Sequence, residues 1–294
     1  MKAWLLLIGI LLVSCVQKAE EPLAEQQTGV ILENVSAQNV TVSVVEDSVQ
    51  VKTVERARSN WWMPRPSLSW QWQLMGELNE EYDVDVYDVD LFDTSKESIA
   101  ALKAKGSRVI CYFSAGSYED WRSDEADFSD DVLGNTLEGW EDEKWLDISR
   151  IELLAPVMRK RLDLAVEKGC DGVEPDNVDG YANDNGFSLT AQDQLGYNKW
   201  LAAEAHERVL AIGLKNDVDQ ILELVNDFDF AVNEQCFEYG ECELLLPFVE
   251  REKAVFGVEY ELEPEEFCER AKSMRLSWLK MEYDLDGGRI SCDE

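Results

Sequence analysis

Histidine is nearly absent from this 294-residue chain, which contains only His206. A zinc site or a Ser-His-Asp triad would need histidine placed at a strand end or loop. His206 falls in a helix-patterned segment and is expected to be solvated. Positive charge is also scarce: 27 Lys and Arg stand against 61 Asp and Glu, a formal charge of −34. A surface of that sign repels nucleic acid and anionic lipid and draws cations, so DNA or RNA binding is set aside. The acidity reads either as solubility or salt adaptation, or as a match to a cationic substrate. No Gly-rich dinucleotide loop follows any apolar run, which argues against an open doubly wound sheet. The Asp-rich strings at 83–93 and 176–185 lack the Gly and terminal Glu of an EF-hand loop, leaving a calcium-dependent adhesion module without support. No metal and no cofactor are implied.

The first apolar run, Ala3 to Val13 after Lys2, is too short to span a bilayer but right for a signal-peptide core. It ends in Leu12-Val13-Ser14-Cys15, which resembles a bacterial lipobox. The resemblance implies cleavage before Cys15 and lipidation of Cys15. With Val16 next, it also implies an exported lipoprotein of the outer membrane or cell surface, touching membrane only through that anchor. A plain secretory signal is the alternative. Losing residues 1–14 removes Lys2, leaving 26 basic against 61 acidic residues, a charge of −35. Residues 15–60 are expected to form a membrane-tethering spacer, since 16–58 carry no Phe, Trp or Tyr. Alternation of Val40, Val42 and Val44 with Val49 and Val51 offers a hairpin as the competing reading. Six cysteines remain, and six thiols allow fifteen pairings. Cys236–Cys242, bracketing a Gly-containing segment, is the favoured bridge, followed by Cys268–Cys292. Cys111 and Cys170 read as buried thiols.

Residues 61–294 alternate apolar runs with helical patterns over roughly the length of one barrel domain. Strands are expected at Trp70–Leu74, Val84–Leu91, Arg108–Ser114, Trp145–Ile148, Gly172–Asp176, Ala211–Lys215, Phe230–Glu234 and Val255–Tyr260. Leu276–Met281 could be a ninth. Helices are expected at Ser95–Lys105, Arg150–Lys168, Thr190–Arg208, Val218–Asn226 and Glu265–Ser273. Apolar strands separated by helices predict an α/β fold, a (β/α)8 TIM barrel, whose first unit has little room for a helix.

Carboxylates recur at the strand ends. Asp176 closes Gly172-Val-Glu-Pro-Asp, and Glu234 closes Phe230-Ala-Val-Asn-Glu. Paired acids at the mouth of a parallel barrel are how many glycosidases cleave, one protonating the leaving oxygen and the other acting as base or nucleophile. Alternation adds Glu174 beside Asp176, Asp88 beside Asp90, then Tyr112, Asp147, Lys215 and Glu259. Trp70, Trp72, Trp121, Trp140, Tyr181 and Tyr260 are expected at loops or strand ends, where flat rings can stack on sugars.

The segments WQWQL (70–74), YDVDLFD (87–93), VICYFSAGSYEDWR (109–122), LDI (146–148), GVEPDNVDGY (172–181), GLKN (213–216), NEQC (233–236) and VEY (258–260) resemble glycoside hydrolase family 114 in their order. These are the endo-α-1,4-polygalactosaminidases. The resemblance implies a barrel over residues 61–294 that hydrolyses α-1,4-linked galactosamine polysaccharide, a cationic polymer. It places the catalytic pair on Asp176 and Glu234. Asp90, Tyr112, Asp147, Asn177, Asp179, Tyr181, Lys215, Asn216, Glu259 and Tyr260 are then expected to line the substrate site. A non-catalytic carbohydrate-binding lipoprotein on the same barrel is the alternative.

Overall fold

The structure is a computed structural model that describes residues 40–45, 48–53 and 59–293. The signal segment and Cys15 lie outside the described residues. The chain divides into two compact units, Met1–Ala57 and Arg58–Glu294. In the first, β1 (Val40–Val45) and β2 (Ser48–Thr53) pair antiparallel, Val40 opposite Thr53. The alternating valines thus form a hairpin inside the segment expected to be a spacer.

The second unit holds β3 (Trp70–Gln73), β4 (Val86–Asp90), α1 (Lys96–Lys105) and β5 (Arg108–Ser114). Three short strands follow: β6 (Ser117–Glu119), β7 (Leu133–Leu137) and β8 (Trp140–Leu146). Then come α2 (Ile151–Lys168), β9 (Gly172–Asp176), α3 (Ala191–Glu207), β10 (Ala211–Lys215), α4 (Ile221–Leu224) and β11 (Phe230–Glu234). The chain finishes with α5 (Cys236–Tyr239), α6 (Leu246–Glu250), β12 (Val255–Glu259), α7 (Pro264–Ser273), β13 (Ser277–Met281) and β14 (Arg289–Ser291).

Eight strands, β3, β4, β5, β9, β10, β11, β12 and β13, lie side by side and parallel, with β14 antiparallel on β13. The circle is completed where Leu74 N and Met75 N donate to Leu285 O and Gln71 Nε2 donates to Gly287 O at 2.8 Å. The fold is a (β/α)8 barrel. Eight was the expected number, but one member differs. Trp145–Ile148 is not a barrel strand: its first residues end β8, in a separate antiparallel sheet of order β6-β8-β7. Ser277–Met281 takes its place as the eighth strand.

Two apolar cores follow from strand alternation. Inward residues such as Trp70, Trp72, Ile110, Phe230, Phe256 and Leu279 plug the barrel. Outward residues meet the apolar stripe of α2, including Leu154, Met158 and Leu162. Trp70 and Trp72 are 2 % and 1 % exposed and belong to that plug, so neither is a rim platform. Helix ends match their sequence signals: Ser95 caps α1, Gly169 closes α2 in the left-handed region, and Thr190 with Asp193 forms a capping box on α3.

Three disulfides join Cys111–Cys170, Cys236–Cys242 and Cys268–Cys292. The last two were the expected bridges. Cys111 and Cys170 are not thiols: the end of α2 brings Cys170 within 6.0 Å, Cα to Cα, of Cys111 on β5. His206 is not a solvated residue either. Its ring stacks on Trp61 with centroids 4.0 Å apart, and Nε2 lies 2.8 Å from Asp229 Oδ2.

Candidate active site

A cleft of about 1380 Å³ opens over the C-terminal ends of the strands, where barrel sites form. Asp176 from β9, Lys215 from β10 and Glu234 from β11 converge on its floor. Lys215 Nζ is 3.1 Å from Asp176 Oδ1 and 3.2 Å from Glu234 Oε2. Those two oxygens are therefore no further apart than the sum of the two distances, about 6.3 Å.

Each acid is held by further donors. Tyr112 Oη donates to Asp176 Oδ2 at 3.1 Å, and Asn177 N donates to Oδ1 at 2.6 Å. Tyr260 Oη donates to Glu234 Oε1 at 2.5 Å, and Asn216 Nδ2 reaches Oε2 at 3.4 Å. Asn216 Oδ1 in turn accepts from Glu234 N at 3.0 Å. Lys215 is buried with the face of Trp72 5.0 Å away. Its three acidic neighbours raise its pKa well above the usual lysine value against the opposing effect of burial.

The backbone at these positions is unusual. The residue after each of these three side chains has positive φ without being glycine: Asn177 at 61°, Asn216 at 49° and Gln235 at 63°. Such conformations cost stability and gather at functional sites. They turn the chain sharply off each strand and leave the preceding side chain at the barrel mouth. Gly116 belongs to the same arrangement. Ala115 N and Gly116 N both donate to Asp176 O, and a Cβ on Gly116 would come within 1.6 Å of Asn177 O. Beneath Lys215, Gly213 leaves room for the Phe230 ring, which a Cβ would meet at 2.3 Å.

Fifteen acidic side chains line the cleft against two basic ones, Lys215 and Arg122. Both cations are already paired, so the cleft offers a surplus of negative charge. Among the acids, Asp179 is pushed up to about 6, first by burial and then by the charge of Asp176. Glu143 is pushed up to about 7, chiefly by burial. Exposed rings stand at the edge: Trp121, Trp140, Tyr239 and Tyr283 are each more than half exposed.

Of the residues expected in the site, Tyr112, Asn177, Asp179, Tyr181, Lys215, Asn216 and Tyr260 line the cleft with Asp176 and Glu234. Asp90 does so too, but its oxygens are taken by Arg122 at 2.7 and 3.1 Å and by Phe92 N and Asp93 N at 2.8 Å each. It anchors the wall. Two others lie elsewhere. Glu259 faces out of the barrel and accepts from Phe237 N, Glu238 N and Trp278 Nε1, capping α5. Asp147 accepts from Ser149 N and Oγ in the turn leading into α2.

Two arginines, outside the residues expected in the site, fix the β6–β8 wall. Arg161 of α2, 1 % exposed, grips Asp124 at 2.8 and 2.9 Å and Ser114 O at 2.6 Å. Arg122 joins Asp90 to Glu119. The signal was present, because Arg161 interrupts the apolar stripe of α2, where an unpaired cation is not tolerated.

The sequence profile of glycoside-hydrolase family GH114 matches residues 51–294. The crystal structure of Aspergillus fumigatus Ega3 in complex with galactosamine is 42% identical, with a TM-score of 0.75 over 79% of this chain and 97% of that one. The glycoside hydrolase domain of PelA from Pseudomonas aeruginosa is 16% identical, with a TM-score of 0.61 over 77% of this chain and 98% of that one. That second likeness is one of fold. No curated protein sequence matches the chain.

Proposed function

The chain belongs to glycoside-hydrolase family GH114, and from that premise we propose that it cuts α-1,4-linked galactosamine polysaccharide internally, using Asp176 and Glu234. The observation that carries this reading is the carboxylate pair at Lys215, set at the floor of a cleft with fifteen acids and two bases. A chain of amino sugars carries an ammonium on each de-N-acetylated ring. Such a polymer is drawn into a low-dielectric acidic cleft without any need for further basic or base-reading groups. The likeness to a structure holding galactosamine supports the same substrate class.

In this mechanism Glu234, an acceptor at both oxygens in the free protein, takes up a proton from solvent. It delivers that proton to the departing glycosidic oxygen as that oxygen's bond to the anomeric carbon breaks. Asp176, held by Lys215 and Tyr112, attacks or shields the oxocarbenium-like centre. Water then completes hydrolysis, and Glu234 takes back its proton. A carbohydrate-binding lipoprotein without turnover is the weaker reading, since both acids are present and face one opening. An open cleft of about 1380 Å³, larger than an ordinary small-ligand pocket, suits an internal stretch of polymer.

Export as a lipoprotein anchored at Cys15 is part of the proposal, and three disulfides agree with an oxidising compartment. The test of the substrate is direct. Fully, partly and non-acetylated α-1,4-galactosaminoglycans are incubated with the protein, and products are read by mass spectrometry. Short oligomers from the polymers bearing ammonium groups are expected. Products from the fully acetylated polymer alone would contradict the cationic assignment.

A further inference from the structure

Directly beneath the reacting pair lie two carboxyl groups for which the proposed mechanism has no use. Asp88 on β4 and Glu174 on β9 are both 0 % exposed. Among the described residues no backbone N–H, side-chain amide or hydroxyl donates to any of their four oxygens. Each is a near neighbour of the other by the charge it feels, and Lys215 Nζ lies 3.3 Å from Glu174 Oε1. Two ionised carboxylates have no donor to share, so a hydrogen bond between them requires a proton. Two bare charges sealed together would also repel in a medium that screens poorly.

One shared proton would relieve that repulsion and leave a single negative charge for the ammonium. The ion pair decides where each resides. Glu174 touches the ammonium and carries the charge; Asp88, further from it, keeps the proton. Burial raises both groups, Asp88 well above its ordinary value and Glu174 to about 7. Lys215 has three N–H donors and three carboxylate partners: Glu174 below, Asp176 and Glu234 above. With Glu174 removed or neutral, the ammonium can lean toward one member of the reacting pair.

We propose that Asp88 is a positioning residue whose carboxylic acid donates to Glu174, so that Glu174 holds Lys215 midway between Asp176 and Glu234. The inference rests on the reading of Asp176 and Glu234 as the reacting acids. It extends that reading by giving the buried layer a part in setting their geometry.

The test uses the full chain and α-1,4-galactosamine oligomers, with Asp88→Leu, Asp88→Asn, Glu174→Gln and Asp176→Asn assayed for kcat, KM and melting temperature. Asp88→Leu and Glu174→Gln should lower kcat by roughly 10²-fold with little change in KM, the pattern of a lost transition-state alignment. Asp88→Asn supplies a permanent donor to Glu174 and should restore kcat to within about fivefold of the original. An infrared carbonyl band of a protonated acid at neutral pH should be lost in Asp88→Asn. If Asp88→Leu does not fold, the contrast between Asp88→Asn and Glu174→Gln still decides. Asp88→Asn as impaired as Glu174→Gln, or Glu174→Gln as active as the original chain, overturns the proposal. Asp176→Asn retaining full turnover would instead overturn the underlying assignment of the reacting pair.

Discussion

Tyr260 donates its phenolic hydrogen to Glu234 Oε1 at 2.5 Å. The ring is pinned by stacking on Tyr283 with centroids 4.3 Å apart. Lys280 holds the Tyr260 carbonyl. Burial and the charge of Glu234 keep the phenol protonated, raising its pKa far above the usual tyrosine value. Tyr260→Phe deletes one charge-assisted hydrogen bond and should lower kcat by about 10- to 100-fold without a change in fold. Steady-state kinetics with a melting curve checks this, and an unchanged kcat would mean that Tyr260 only packs.

The spacing of Asp176 and Glu234 forecasts stereochemistry. One oxygen of each contacts the same ammonium, so that oxygen pair is at most about 6.3 Å apart, which favours the roughly 5–5.5 Å spacing of retaining enzymes over the roughly 6.5–9.5 Å of inverting ones. Retention of the α configuration is expected, with Asp176 as nucleophile. Proton NMR of the first-formed reducing ends distinguishes the two outcomes.

Much of this geometry was legible in the sequence because a parallel strand is apolar until its last residue and then ends in a polar one at the barrel mouth, as at Asp176 and Glu234. Face assignment was harder. A strand buried on both sides gives no polar parity signal, so Glu259 was placed inward although Val258 and Tyr260 are the residues that point in. Trp145–Ile148 looked like a barrel strand because Trp145 and Leu146 are buried, but they are buried under the β6–β8 wall. The Cys111–Cys170 bridge joins residues 59 apart that only the β5–β9 pairing brings together, which spacing alone cannot reveal.

Trp140 sits beside the tight turn between β7 and β8 and is 58 % exposed at the cleft edge, flanked by Glu141 and Asp142. A ring so placed can stack on a sugar and attract its ammonium group. Trp140→Ala should raise KM for long oligomers by about tenfold while sparing kcat. Equal effects on short and long oligomers would assign Trp140 to the central subsite instead.

Salt should separate charge from shape. The acidic cleft attracts a polycation through exposed as well as buried groups, and exposed interactions are screened beyond about 8 Å at physiological ionic strength. KM for a de-N-acetylated polymer should rise steeply between low and high salt, whereas KM for an acetylated one should not. A flat response for both would remove the electrostatic argument.

Asp217, 4 % exposed at the cleft wall, accepts from Asn198 Nδ2 at 2.9 Å. Its pKa is pushed up to about 8, first by burial and then by the charge of Asp179. The unfolded chain releases this proton near pH ~3.9, so between there and about 8 the folded state binds more protons. The group's contribution to stability is fully present below the lower value and lost as pH rises through the upper one. Asp217→Asn should leave the melting temperature at pH 4 unchanged and raise it at pH 8 by about 2–6 °C. Melting curves at both pH values test the sign.

The most direct measurement is turnover of de-N-acetylated α-1,4-galactosaminoglycan by Asp176→Asn and Glu234→Gln, followed by product mass spectrometry alongside equilibrium binding. Both variants should bind the polymer yet lose roughly 10²–10⁴-fold or more of the rate, the size expected for removing an acid–base or nucleophilic group. Oligomers released by either variant at the original rate would contradict the assignment of these two acids.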